Sequence, residues 1–253
     1  TNSVLQGSAS KLTGVTVTGD GTTAVTALHA TKAADLSGID TTTTTAAFDG
    51  DATFSGTLDG AVVTVGNTAT MTAAASKVAG ETVNKVGGGD GALAVTVATA
   101  DASVNLTQVG GDAIASITAT ESLTFDGVLH GTVATTLDSG VQFQTTAAIA
   151  TGKAFAENGN STTAITALHA TKAADLSAID TTTVTAAATA ATDGTITFTG
   201  DFGKATVAIT GGDGGANDIF NVDGATMNTA SFTVATNSVL QGSASKLTGV
   251  TVT

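Results

Sequence analysis

The sequence contains no Cys, Pro, Trp, Tyr or Arg, and its aromatic residues are nine Phe. Without Cys, the chain has neither a disulfide framework nor a thiolate metal site, so redox chemistry does not indicate its compartment. Without Arg, Trp or Tyr, it lacks the forked and stacking side chains that bind nucleic acid, and its formal net charge of −13 repels phosphate. We therefore expect no nucleic-acid partner.

Long apolar runs are missing as well. No stretch approaches the roughly 18 apolar residues of a membrane helix, so we expect no membrane insertion, and no basic-then-apolar signal segment opens the chain. The first residue is Thr1 rather than Met, which favours a processed or excised piece of a longer protein. Hydrophobic residues make up 42% and charged residues 11%, the reverse of a disordered composition, so the chain is expected to fold around a thin core.

Internal duplication organises the chain. Residues 1–18 (TNSVLQGSASKLTGVTVT) recur unchanged as residues 236–253, and residues 22–47 match residues 162–187 at 23 of 26 positions. We interpret residues 1–253 as one continuous domain. It consists of a 235-residue super-repeat (1–235) and the start of the next copy (236–253).

A shorter period of about 20 residues underlies the long one. Apolar-polar stretches such as Val4–Thr18, Ala27–Thr43 and Val128–Phe143 share a loose pattern, which is typical of solenoids. Short β-rich runs bounded by Gly, Asp and Asn predict strands at Val15–Thr18, Thr53–Leu58, Val62–Val65, Leu93–Val97, Val104–Leu106, Ile117–Thr120, Thr195–Thr199, Thr206–Ile209 and Ser231–Val234. The stretch Ala27–Ile39 stays open, because a short helical turn fits it equally well.

The predicted fold class is therefore all-β. We expect a right-handed parallel β-solenoid, of the β-helix or β-roll kind, with coils of roughly 20 residues in tandem. At the usual strand spacing, the chain would form about twelve to thirteen coils and a rod ~60 Å long, whose edges the next unit would cover.

One glycine- and aspartate-rich turn suggests a metal site. Residues 211–222 (GGDGGANDIFNV) carry Asp213, Asn217 and Asp218, whose oxygens suit Ca²⁺. Asp90 lies in a weaker echo of the same pattern. The alternative interpretation is a plain tight turn, for which Gly, Asp and Asn are the usual residues.

Three further residue patterns favour structural roles. His29, His130 and His169 each follow the Leu of the short repeat, where Gln6 and Gln241 stand in other copies, so we expect hydrogen bonding rather than catalysis. Without aromatic or Arg subsites, the 21 carboxylates do not indicate a glycosidase, and we expect no enzyme activity. T-x-T spacings such as Thr16/Thr18 leave an ice-binding surface as a minor alternative, although Thr is common in any strand.

Taken together, the tandem [VA]L[QH][GA] segments, the Thr/Val strands and the GGDG turns resemble the repetitive β-solenoid regions of large bacterial cell-surface proteins. These include RTX-type adhesins and surface-layer proteins exported by type I secretion. The resemblance implies a secreted, extracellular or cell-surface protein that calcium can assist. The leading hypothesis is a structural unit of a filament or surface layer that joins copies of itself head to tail, either as separate chains or as tandem units. The alternative is the stalk of a giant adhesin, which would contact a cell surface or a polysaccharide.

Overall fold

Short runs of alternating β-branched and small residues form strands almost throughout this protein. The computed structural model describes residues 3–190, 194–211 and 218–253. Contacts divide the chain into two compact units, residues 1–118 and 119–253. Both are almost entirely β with parallel pairing and a few one-turn helices, which confirms the all-β, parallel part of the predicted fold class.

The first unit carries nine strands, two α-helical turns and three 3₁₀ segments. Its strands are β1 (Val4–Ser8), β2 (Val17–Thr26), β3 (Ile39–Phe48), β4 (Ala52–Phe54), β5 (Val62–Val65), β6 (Thr70–Ala74), β7 (Thr82–Lys85), β8 (Ala92–Val97) and β9 (Ile114–Ala119), the last of which ends at the boundary. Its helical turns are α1 (Ala9–Leu12), α2 (Ala75–Val78) and the 3₁₀ segments Leu28–Ala30, Thr99–Asp101 and Leu106–Gln108. One sheet has the order β1-β2-β3-β5-β7, and β4, β6, β8 and β9 are successive neighbours in another.

The second unit repeats this organisation. Its strands are β10 (Leu123–Thr124), β11 (Thr135–Asp138), β12 (Gln142–Thr146), β13 (Phe155–Asn158), β14 (Thr162–Thr166), β15 (Thr183–Thr189), β16 (Thr195–Thr197), β17 (Thr206–Thr210), β18 (Asp218–Asn221), β19 (Ser231–Val234), β20 (Ser238–Gln241) and β21 (Thr251–Val252). Its helical turns are α3 (Ala147–Ala150), α4 (Ala244–Leu247) and the 3₁₀ segment Leu168–Ala170. One sheet has the order β10-β12-β14-β15-β17-β19-β21, another has β16-β18-β20, and β11 pairs with β13.

Each strand pairs with one that lies about one short repeat further along the chain. Leu123 is opposite Phe143, Val62 is opposite Thr82, and Thr206 is opposite Ser231. Side chains follow the same offset, since the Thr145 hydroxyl donates to the carbonyl of Phe125, 20 positions earlier, at 2.9 Å. The pairing therefore brings like positions of successive repeats together.

The core is a set of stacked side chains from these inward positions. All nine Phe are at most 2% exposed. Phe143 packs between Phe125 and Phe155, with ring centroids 5.6 and 5.4 Å away, and Phe202 contacts Phe198 at 4.3 Å. Since each fully buried aromatic or aliphatic side chain stabilises the fold by roughly 1.5–3 kcal/mol, these columns hold the sheets together despite the small average side chain.

Local sequence decides the corners between strands. The helical turns α1 and α4 have the same sequence and the same geometry: each is preceded by an extended Ser, and each is followed two positions later by a glycine with positive φ, Gly14 at 66° and Gly249 at 79°. In the stretch Ala27–Ile39 that the sequence left open, the helical alternative holds for Leu28–Ala30, which forms a 3₁₀ turn.

One strand prediction is wrong throughout, and a second is wrong for most of its length, since of Thr53–Leu58 only Thr53 and Phe54 lie in a strand. Val104–Leu106 does not form a strand, because the side chain of Asn105 accepts a hydrogen bond from the Thr107 amide at 3.0 Å and caps the 3₁₀ segment Leu106–Gln108 instead. This local side-chain contact competes with strand pairing.

Two glycines approach the backbone of equivalent alanines in the duplication, and they generate a prediction. A Cβ atom at Gly56 would overlap the carbonyl oxygen of Ala34, and one at Gly200 would overlap that of Ala174. Because the clashing atoms are backbone, we expect Gly56→Ala and Gly200→Ala each to lower the free energy of unfolding by about 1–3 kcal/mol. Urea denaturation followed by circular dichroism measures the change.

Gly87→Ala is the matched control, since a Cβ atom there meets nothing within 4 Å. It should change the free energy of unfolding by less than about 0.5 kcal/mol. Equal effects of all three substitutions would contradict the close approach.

Candidate functional site

The eighteen-residue sequence that occurs twice is held differently in its two positions. We call residues 1–18 the first copy and residues 236–253 the second copy. The first copy contains β1, α1 and the start of β2, and it pairs with the residues that follow it. The second copy contains β20, α4 and β21, and it pairs with the residues that precede it.

The two copies are paired through opposite faces of the same segment, that is, through its two hydrogen-bonding sides. In the first copy, Leu5 is opposite Thr23 and Val17 is opposite Ile39. The matching residues of the second copy, Leu240 and Val252, are opposite Phe220 and Phe232. β1, β20 and β21 each stand at the edge of their sheet.

Hydrogen bonds from the first copy reach only forward among the described residues. Ser3 accepts at its carbonyl from the Thr22 amide at 2.9 Å, and the Thr13 hydroxyl accepts from the Asp35 amide at 2.8 Å. The Gly14 amide donates to the carbonyl of Asp35 at 2.9 Å. These contacts fix the first copy to one side of the residues that follow it.

Hydrogen bonds from the second copy reach backward. Gln241 accepts at its carbonyl from the Val222 amide and at its side chain from the Asn221 amide group, both at 2.9 Å. The Lys246 ammonium group donates to the carbonyl of Ala225 at 2.6 Å, and the amide of Ser243 donates to the carboxylate of Asp223. The bond from Ser243 lowers the pKa of Asp223.

Exposed apolar side chains concentrate in the two copies. Of the seven large hydrophobic residues exposed in the described chain, five belong to them: Val4, Leu5, Val15, Val239 and Val252. Ala9 of the first copy is fully buried, whereas its equivalent in the second copy, Ala244, is exposed. Apolar side chains beside an unpaired strand edge mark a surface that can accept another strand.

The charge of the two copies differs from that of the rest of the chain. Each copy carries one lysine, Lys11 or Lys246, and no carboxylate, although the whole protein has a formal net charge of −13. Each copy is therefore a weakly basic patch on an acidic protein.

Only part of the predicted calcium turn can be placed. Asp213 and Asn217 lie outside the described residues. Asp218 is fully buried at the start of β18, where it is opposite Ser238. Asp90 lies in the other unit with an exposed side chain, and its amide donates to the Asn67 side chain at 3.0 Å. No group of three or more His, Asp or Glu residues suited to a metal ion occurs in the described part of the chain, and calcium stays a prediction.

Carboxylates in both units accept hydrogen bonds from backbone amides, a role that the sequence reasoning missed. Asp35 and Asp175, which are equivalent in the duplication, accept from the amides of Ser37 and Ser177 at 3.0 Å, and Ser37 and Ser177 lower the pKa of these carboxyl groups. The Asp-x-Ser spacing is an Asx-turn signal that could have been found in the sequence.

Glu157 makes the most extensive set of such bonds. Its carboxylate accepts from the hydroxyl and the amide of Thr182 at 2.6 and 2.9 Å, and from the amide and the hydroxyl of Ser161 at 2.9 and 2.8 Å. These bonds, those from Thr182 above all, lower the pKa of Glu157 to about 2. Because Thr182 lies 25 positions after Glu157, the carboxylate ties successive repeats together.

The three histidines act as hydrogen-bond acceptors at corners, as the sequence predicted. The Nδ1 atom of His29 accepts from the Asp49 amide at 3.3 Å, that of His130 from the Val133 amide at 3.0 Å, and that of His169 from the Thr189 amide at 3.1 Å. Gln241, which takes the histidine position in the second copy, accepts a hydrogen bond as well.

Comparison with known proteins gives no relative for this chain. No protein-family model, curated protein or solved structure matches it.

Among the described residues, no helix has the length and apolar character needed to cross a membrane.

The bonds of Glu157 generate a pH prediction. A carboxyl group whose pKa falls from its ordinary 4.5 to about 2 on folding stabilises the protein above pH 4.5, and this contribution disappears as the pH falls toward 2. We expect Glu157→Gln to lower the melting temperature at neutral pH and to flatten its decline between pH 4.5 and 2. Thermal unfolding followed by circular dichroism at a series of pH values tests this.

Glu81→Gln is the opposite-sign control. Burial raises the pKa of Glu81, so protonation of Glu81 in acid favours the folded state. Glu81→Gln should therefore leave in place the decline of the melting temperature between pH 4.5 and 2. If Glu157→Gln has the same pH profile as the unsubstituted protein, the bonds to Ser161 and Thr182 do not control the acid stability.

Proposed function

We propose that this protein is a structural repeat unit of an extracellular filament or surface layer, built as a parallel β-solenoid and joined head to tail to further copies. One observation carries the proposal: an identical segment occurs twice and is bound on opposite faces in its two positions. A segment that fits neighbours on both faces is what a continuous stack of coils requires.

The register supports coils of roughly 20 residues. Gln142 is opposite Thr162, Thr162 is opposite Thr183, and the next strands in the same sheet continue in this way. Repeated parallel pairing, at offsets such as the 17 positions between Thr45 and Val62 and the 25 between Thr206 and Ser231, is the pattern that a chain wound into stacked coils produces. Stiffness then comes from backbone ladders and cohesion from the stacked Phe, Val, Leu and Ala side chains.

The exposed edges support association between units. β1 in one unit and β20 and β21 in the other stand at sheet edges beside exposed valines. Unpaired strand edges attract further strands, and natural proteins usually cover them or place charges there. The lack of carboxylates in both copies leaves these edges free of like-charge repulsion by acidic residues, while the acidic remainder of the chain keeps the assembly soluble.

The proposed location outside the cell rests on composition and resemblance. An acidic, Cys-free chain rich in Thr and Gly is typical of secreted bacterial surface proteins. Divalent cations would bridge neighbouring acidic assemblies, and Ca²⁺ at Asp213, Asn217 and Asp218 would add a specific contribution. The alternative of an adhesin stalk shares the same fold but requires no association between separate chains.

The proposal predicts visible polymers. The purified 253-residue chain should form end-to-end fibres when examined by negative-stain electron microscopy in millimolar calcium. Loss of the fibres in EDTA would support the calcium turn, and persistence of the fibres would argue against a calcium requirement. Separate short particles under both conditions would overturn the self-assembling filament and favour the stalk.

A single substitution should block this association. Val252 is 49% exposed in the chain alone and would be covered on assembly, so Val252→Asp would place a carboxylate in an apolar contact. At a cost of at least about 1.4 kcal/mol, the concentration for half-assembly should rise by tenfold or more. Sedimentation velocity over a concentration series measures it.

Val128→Asp is the matched control, because Val128 is 46% exposed in the same unit but lies outside both copies. It should assemble as the unsubstituted chain does. Equal inhibition by both substitutions would indicate that charge alone, rather than the second copy, decides association.

A further inference from the structure

We infer that the head-to-tail contact forms by segment exchange: the second copy of one molecule takes the place of the first copy on β2 and β3 of the next molecule. This inference rests on the proposed function and specifies its contact. The partner is a second molecule of the same chain.

The fit of the incoming segment is already visible within one molecule. The first copy pairs with Thr22–Thr26 of β2 and with Ile39 and Asp40 of β3. The second copy has the same eighteen residues, so it can make the same contacts there. Leu240 would then be opposite Thr23, and Val252 would be opposite Ile39.

The second copy can make these contacts without giving up its own. Toward the following strand, the segment uses the carbonyl groups of Ser3 and Gly7, the hydroxyl of Thr13 and the amides of Gly14 and Val17. Toward the preceding strand, it uses the oxygens of Gln241, the amide of Ser243, the ammonium group of Lys246 and the backbone of Thr253. No atom belongs to both sets. Because backbone groups of successive residues in a strand point to opposite sides, one segment can serve both neighbours.

The chain has a hinge at which the first copy can leave. Gly19 and Gly21 flank Asp20 directly after the first copy, and the pairing of β2 with β3 shifts register between Gly19 and Thr22. Gly19 has a φ of 142°, which favours glycine. A groove of about 320 Å³ is lined by this hinge together with Ser3, Leu5 and Val17 of the first copy. Exchange of an identical element across a hinge is an accessible route to association.

Direct stacking of the second copy on the first copy fits the observations less well. Direct stacking would pair the unpaired side of the second copy with the unpaired side of the first copy. These two sides are not paired with each other anywhere in the described residues. In register, direct stacking would also place Lys246 of α4 beside Lys11 of α1, and two like charges side by side repel each other. Exchange avoids both problems, because the second copy forms with β2 and β3 the same residue pairs that the first copy gives up.

Disulfide trapping tests the exchange, since the chain has no cysteine of its own. Gln6 is opposite Ala24 on neighbouring parallel strands, at a separation that a disulfide can bridge. In the exchanged assembly, Gln241 of one molecule occupies the place of Gln6 of the next. We therefore expect a mixture of Gln241→Cys chains and Ala24→Cys chains to form a disulfide between positions 241 and 24. The linked peptide is identified by mass spectrometry after mild oxidation.

Two comparisons make the result decisive. A single chain with both Gln6→Cys and Ala24→Cys should close an internal disulfide, which shows that the geometry and the fold are intact.

A mixture of Gln241→Cys and Gln6→Cys chains tests direct stacking. A 241–6 disulfide without a 241–24 disulfide would overturn exchange and leave the proposed filament standing. If the internal disulfide forms but neither intermolecular one does, both the exchange and the head-to-tail contact are wrong.

Discussion

Parallel backbone pairing at an offset of about 20 residues is the constraint on which the rest of this structure depends. This pairing places each side chain opposite its counterpart in the neighbouring strand, as Leu123 lies opposite Phe143 and Val207 opposite Phe232 in the core. The same offset carries the polar contacts, since Glu157 reaches Thr182 and Thr145 reaches Phe125. A core made largely of Val, Leu, Ile and Ala, with nine buried Phe, then suffices, which explains why a chain so poor in aromatic residues can fold.

Much of this arrangement could be predicted because it follows from local composition. The strands Val62–Val65 and Ser231–Val234 have the predicted bounds, since runs rich in β-branched residues between Gly, Asp or Asn residues leave few alternatives. Val104–Leu106 failed because an asparagine side chain caps a 3₁₀ turn there. Strands such as Thr70–Ala74 and Gln142–Thr146 were missed because their alternation uses Thr, Ala and Gln, which also suit turns and helices, and only the neighbouring strands decide the outcome.

The candidate site was predicted in part. The duplication of residues 1–18 is plain in the sequence, but which face each copy would present depends on pairing with the strands around it. The sequence reasoning assigned no role to Asp35, Asp175 and Glu157, which accept hydrogen bonds from backbone amides. A carboxylate next to a turn can serve either purpose, and its partners are set by residues up to 25 positions away.

Exact repetition between neighbouring repeats would leave the strand register poorly specified, and the long spacing between the two copies avoids this. If adjacent repeats were identical, a strand could slip to the neighbouring repeat without losing a contact, and register would be poorly specified. Successive repeats in this chain differ at their corners and in offset, from the 17 positions between Thr45 and Val62 to the 25 between Thr206 and Ser231. The exact eighteen-residue identity recurs only after 235 positions. Variation between neighbours therefore keeps one register within a molecule, while identity at long spacing gives a second molecule a segment that fits the first without any new interface.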